Sequence, residues 1–218
     1  MRRTILLIFI SVTIVACRQN NAVDKTKLSR LSAFYRDTTF AEIFINPDYA
    51  YIDSIYFFRG NQIDSTTFNV LTEKTTHGLP WTEGFYGIYS FKIDKQFVGL
   101  LTRTPGEYSS TVISLWIYDT KHDSIVNEIQ LADNFGDAGA SEIINSYLFF
   151  DKEKKLNALT YRHYSFDHSV EDERDTIVEE YWNYYLTHLN ATSVDTLSTD
   201  SMMLHGQFKN QLKKMASY

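Results

Sequence analysis

Three groups of residues have types and spacing that suit binding chemistry. Asp133, Asn134 and Asp137 stand among Gly136 and Gly139. Oxygen donors on a turning backbone suit Ca²⁺, but the spacing is not the alternate-residue spacing of an EF-hand loop. An Asp/Asn/Gly turn between strands accounts for the same residues. Trp81, Glu83, Phe85 and Tyr86 lie in a stretch punctuated by Gly78, Pro80, Gly84 and Gly87. Flat rings beside a carboxylate suit stacking on a sugar face, and they equally suit plugging the end of a core. His163 and His168 flank Asp167, with Glu171, Asp172 and Glu173 beyond. In an extended strand His163 and Asp167 share a face and His168 points away, so a metal site there needs the chain to bend.

The chain carries no GxSxG, HExxH, P-loop or GxGxxG pattern. A hydrolase would need two convergent carboxylates. With 27 acidic residues such pairs are inevitable, and spacing selects none of them. Glu179 and Glu180 are adjacent, so in a strand they point to opposite faces. No cofactor is implied.

The single cysteine, Cys17, follows Arg2-Arg3 and an apolar run of about a dozen residues, which is too short to span a bilayer. Ile14-Val15-Ala16-Cys17 resembles the lipobox of bacterial lipoproteins. The resemblance implies removal of residues 1–16, lipidation of the Cys17 thiol and acylation of the new amine. Several acyl chains anchor a protein far more firmly than one. Arg18 in place of Asp, by the best-known sorting rule, points to the outer membrane. Residues 17–27 then read as a polar tether and 28–218 as a single domain. An ordinary secretory signal or an N-terminal membrane helix is the competing reading of the same residues.

Without Arg2 and Arg3 the chain has 19 basic and 27 acidic residues, a net charge of −8. That argues against nucleic acid as a partner, since phosphate binding needs a basic patch. With Cys17 consumed by lipid, no disulfide or thiolate chemistry remains. Stability must come from the core, and 15% aromatic content can fill one.

The elements that must position these groups read as strands. Leu28, Leu31 and Tyr35 predict a short helix. Strands are predicted at Ala41–Ile45, Ile55–Phe58, Thr66–Leu71, Ile88–Ile93, Phe97–Thr102, Thr111–Tyr118 and Ile125–Leu131. After a break at Asp133–Gly139, further strands are predicted at Ile143–Phe150, Leu156–Tyr164, Thr176–Leu189 and Ser193–Leu197. Asp94-Lys95 makes a tight hairpin. Thr111–Tyr118 is apolar on both faces and so should be covered on both sides. Phe208, Leu212 and Met215 predict an amphipathic C-terminal helix packed on the sheet, its start weakened by Gly206.

Two series of four strands lie over each other, about residues 84–132 and 140–198. Tyr89 matches Tyr147 at an offset of 58, and Trp116 matches Trp182 at 66. Such units resemble propeller blades in architecture, but two cannot close a propeller. The expected fold is therefore all-β: an antiparallel meander of two blade-like units, forming a sandwich or a curled sheet, with short terminal helices. The expected role is a membrane-anchored binding or scaffold module of the cell envelope, with a glycan or an envelope protein as partner. The alternative is a carboxylate-dependent hydrolase with a sheet-end cleft.

Asp followed by Ser or Thr and then an apolar residue or Thr occurs seven times, with acceptors Thr38, Ser54, Ser65, Ser124, Thr176, Thr196 and Ser201. The triplet resembles the acceptor consensus for general O-glycosylation of exported proteins in one branch of envelope-bearing bacteria. The same triplet also arises where a turn hands over to a strand.

Overall fold

A computed structural model describes residues 26–47, 58–71, 84–105, 112–170, 174 and 176–217. It is mostly β, with eleven strands and a few short helices. The helix α1 (Lys27–Leu31) opens the described chain, and the Thr26 hydroxyl caps it by accepting from the Ser29 N–H. Two short strands follow, β1 (Arg36–Asp37) and β2 (Glu42–Ile45), then β3 (Asn61–Gln62) and α2 (Ser65–Leu71). The meander comprises β4 (Tyr86–Lys92), β5 (Phe97–Thr104), β6 (Val112–Asp119), β7 (Ser124–Asp137), β8 (Ala140–Phe150), β9 (Leu156–Asp167), β10 (Val178–Leu189) and β11 (Val194–Ser198). Helices α3 (Ser201–Gln207) and α4 (Lys209–Met215) end it.

The eight meander strands pair in sequence order, all antiparallel. The strand β7 turns this ribbon into a sandwich. Its residues up to Ala132 pair with β6, and Asp133–Asp137 pair with β8. From Ser146 onward the same edge of β8 is taken by β2. The two halves of the sheet thus face each other. Ile88, Leu101, Ile113, Leu115 and Ile117 from one half share a core with Ile45, Leu148, Leu156, Ala158 and Leu189 from the other. In this core the Phe91 ring lies over its cross-strand neighbour Gly99, where a Cβ would come within 2.4 Å of it.

Each outer face has its own cover. Leu31, Tyr35, Ile63 and Phe85 pack on Leu100, Trp116 and Tyr118. Leu204, Leu212 and Met215 pack on Tyr147, Leu159 and Tyr161. The strand β6 is therefore covered on both sides, as its double apolar pattern predicts: Ile113, Leu115 and Ile117 face the inner core, and Trp116 and Tyr118 the outer layer. The C-terminal helix packs as its period predicts. The buried Asn145 amide on β8 donates to the Met215 carbonyl at 3.0 Å and ties down the last turn. Gly206 lies in α3, just before the break at Phe208 where α4 begins.

Three expectations are corrected. Thr66–Leu71 is helix, not strand: Asp64 accepts from the Thr67 N–H at 2.7 Å and from two threonine hydroxyls, which makes it an N-cap. Tyr86 and Gly87 belong to β4, because β3 offers them a strand partner. Asp133–Asp137 is strand, not a break, because β8 supplies the ladder that the local residues do not encourage. The turn is only Ala138-Gly139, both at positive φ, as a two-residue hairpin requires. Phe58 sits in a turn, while Ile55 to Phe57 lie outside the described residues.

Trp116 and Trp182 each stand on the third strand of a run of four, β4–β7 and β8–β11. Their surroundings differ completely. Trp116 is fully buried and Trp182 is 52% exposed.

Candidate functional site

The sequence-derived groups are not brought together. Asp133 and Asp137 share one face of β7 about 13 Å apart, and Asn134 points to the other. No three His, Cys, Asp or Glu among the described residues are grouped to hold a metal ion. Trp81 and Glu83 lie outside the described residues. Phe85 is buried and stacked on Phe68, with centroids 4.0 Å apart, so it plugs the outer core. Tyr86 lies under the Arg103 guanidinium at 4.1 Å. Of the glycosylation triplets, Ser54 lies outside the described residues. Ser65, Thr176, Thr196 and Ser201 are exposed, and Thr38 and Ser124 are half-buried. Two of these triplets are helix starts: Asp64 caps α2, and Asp200 caps α3.

The feature that stands apart is the far end of the β9–β10 hairpin. Strand β10 has twelve residues and β11 only five, paired from Leu186 onward. Among the described residues, no strand pairs with the other edge of β10 from Val178 to Tyr185. The helices α3 and α4 cover only the near part of the outer face. Val178 to Asn183 are consequently exposed at every position, whichever face they point to. Among the described residues, this end of the β8–β9–β10 sheet forms a fin whose outer strand, β10, has two exposed faces and one unpaired edge.

One face carries Trp182, His163 and Tyr161. The His163 and Trp182 rings, opposite each other across the two strands, stack at 5.4 Å with 3° between their planes. Because they stack along the direction between strands, the second face of the indole looks out over the open edge. The Tyr161 ring continues the row at 6.4 Å from His163 and 5.5 Å from Tyr184. Burial pushes the Tyr161 hydroxyl pKa up, against a hydrogen bond from Trp182. The other face carries Tyr181 over Tyr164, centroids 6.3 Å apart, beside a bidentate Arg162–Glu142 pair at 2.6 and 3.0 Å.

Each face also has one histidine–glutamate pair. His163 Nε2 lies 3.7 Å from Glu180, and His168 Nε2 lies 3.3 Å from Glu179. The two histidines thus work separately, as the strand period predicts. The Ser169 hydroxyl and N–H hold the Asp167 carboxyl below its ordinary range and fix the turn beyond β9.

The arrangement suits binding. Exposed aromatic faces contribute contact area, and a bare strand edge offers a row of backbone donors and acceptors. A signal for it existed in the sequence. Val-Glu-Glu-Tyr-Trp-Asn-Tyr-Tyr puts aromatics on both faces of one strand, and the next strand is too short to cover it. Away from the fin, a cavity of about 420 Å³ opens beside the end of β4, and Asp37 is the one carboxylate among the described residues lining it. The chain matches no protein-family model, no curated protein and no solved structure.

Proposed function

We propose that this chain is a binding module of the cell envelope, held to its membrane through Cys17, and that the fin is its binding surface. The observation that carries the reading is the run Val178–Asn183, exposed on both faces beside an open edge. The natural occupant is an extended polypeptide segment that adds a strand to β10. Such a segment would satisfy the backbone groups of the edge, and its alternate side chains would meet Trp182 on one face and Tyr181 on the other. A glycan is the second reading, favoured by the outward face of the Trp182 indole with the Glu180 carboxylate two residues away on the same side.

The test is photocrosslinking in the native membrane, with a benzophenone side chain at position 182 and, as control, at the more exposed Met202. The expected result is a discrete polypeptide adduct from 182 and none from 202. Asn183→Pro, which distorts the edge, should remove it. The same adducts at both positions, or none, overturn the strand-addition reading. Retention of the protein on envelope glycans, lost in Trp182→Ala, would establish the second.

A further inference from the structure

The cavity beside β4 has a composition that selects a ligand independently of the fin. It runs round the end of the strand. Leu28, Val98 and Leu100 line it on the side of the outer layer, and Phe40, Phe91 and Phe150 on the side of the inner core. The three phenylalanine rings brace one another at 4.8, 5.6 and 6.4 Å, so this wall is formed in advance. At roughly 30 Å³ for each water-sized group, the volume admits about a dozen non-hydrogen atoms. Cavities of this size are ordinary small-molecule sites.

Two opposite charges stand on the lining. Asp37 lies beside Ser90 in the β1–β4 register. The buried Ser90 hydroxyl donates to Asp37 Oδ1, and the Thr38 N–H donates to the Ser90 carbonyl at 2.8 Å, which fixes this corner. Lys92 follows two residues along β4, on the same face as Ser90 and about 7 Å farther on. Among the described residues neither Asp37 nor Lys92 is in an ion pair, with the other or with anything else.

An apolar chamber edged by an unpaired anion and an unpaired cation complements a molecule with the same three parts. We propose that the cavity binds an apolar zwitterion, a free α-amino acid with a large apolar side chain. Its ammonium group lies on Asp37, its carboxylate on Lys92 and its side chain among the phenylalanines. A simple fatty acid would leave Asp37 unpaired beside a like charge, and a simple amine would do the same to Lys92. Charge-assisted hydrogen bonds at both ends favour the ligand that satisfies both.

The test is calorimetry on the full chain in lipid nanodiscs with three matched probes: L-phenylalanine, phenethylamine and 3-phenylpropanoate. Phenylalanine should bind at least tenfold more tightly than either singly charged probe. Asp37→Asn should bring phenylalanine level with 3-phenylpropanoate, and Lys92→Gln should bring it level with phenethylamine. Asn at position 37 still accepts from the Ser90 hydroxyl and Lys92 is exposed, so both variants should retain the wild-type unfolding midpoint. Val98→Trp, which fills the chamber, should abolish binding of all three. Absence of binding, equal affinity for the three probes, or an order unchanged in the two charge variants overturns the proposal.

Discussion

Asp119 shows how one side chain holds the turn between β6 and β7. Burial pushes its carboxyl pKa up, but the His122 ring, the Gln96 amide and the N–H groups of Lys121 and His122 outweigh this and bring it to about 2. The unfolded chain, at 3.8, binds a proton more readily. The stability this group contributes is therefore present above pH 4 and is lost as the pH falls toward 2. Urea unfolding at pH 5 and pH 2.5 should show a steeper loss for the wild type than for Asp119→Asn; equal losses would mean that the turn does not depend on this carboxylate. At this scale the sequence was only partly legible. Asp119 to Asp123 is readable as a turn, but the convergence of four donors on one carboxylate is not, because Gln96 comes from the neighbouring hairpin. Phe85 carries the same lesson in reverse. Its Gly/Pro surroundings fit a sugar platform as well as a core plug, and the stacking of Phe68 from α2 shows it to be core.

At the scale of elements, the meander was readable because period and turn chemistry agree from β4 to β11. Each predicted strand of that series exists, within three residues at its ends except where β7 runs six residues past Leu131. What local residues could not reveal is where a neighbour overrides them. Asp133–Asp137 has poor strand formers and is a strand because β8 lies beside it. Thr66–Leu71 has good strand formers and is a helix because Asp64 caps it. The matched tryptophans make the same point in energy. Both occupy third strands, yet Trp116 is packed against Phe85 in the outer layer, while Trp182 stands on the fin. Trp116→Ala should cost about 3–5 kcal/mol through the cavity it leaves. Trp182→Ala should cost far less, since about half of its surface is already in water. Chemical denaturation of the two variants checks this directly. Equal costs would mean that the fin is packed against something in the folded protein.

At the scale of the molecule, β7 sets the distance between the start of the described chain and the far end of β10. The N–H of Lys27 donates to Asp123 at 3.1 Å, and the Tyr118 hydroxyl donates to the same carboxylate at 2.5 Å, so the start of the described chain is fixed to the β6–β7 turn. From that turn β7 runs fourteen residues to Asp137, at the end of the sheet where β9 ends and β10 begins. At about 3.3 Å per residue this is roughly 40 Å. If Cys17 carries the lipid, ten residues separate it from Lys27, at most about 35 Å of chain. The β6–β7 turn then lies at the membrane end, and the fin at the end reaching away from it, where a partner can approach β10 without meeting lipid. If acylation consumes the Cys17 thiol, a cysteine placed elsewhere becomes the only one open to labelling. A fluorophore at Lys121→Cys should be quenched by headgroup-labelled lipid in reconstituted vesicles, and one at Thr176→Cys should not. Equal quenching at the two sites would mean that the domain lies flat on the bilayer, which would bring the open edge of β10 to the lipid surface and leave no room for an added strand.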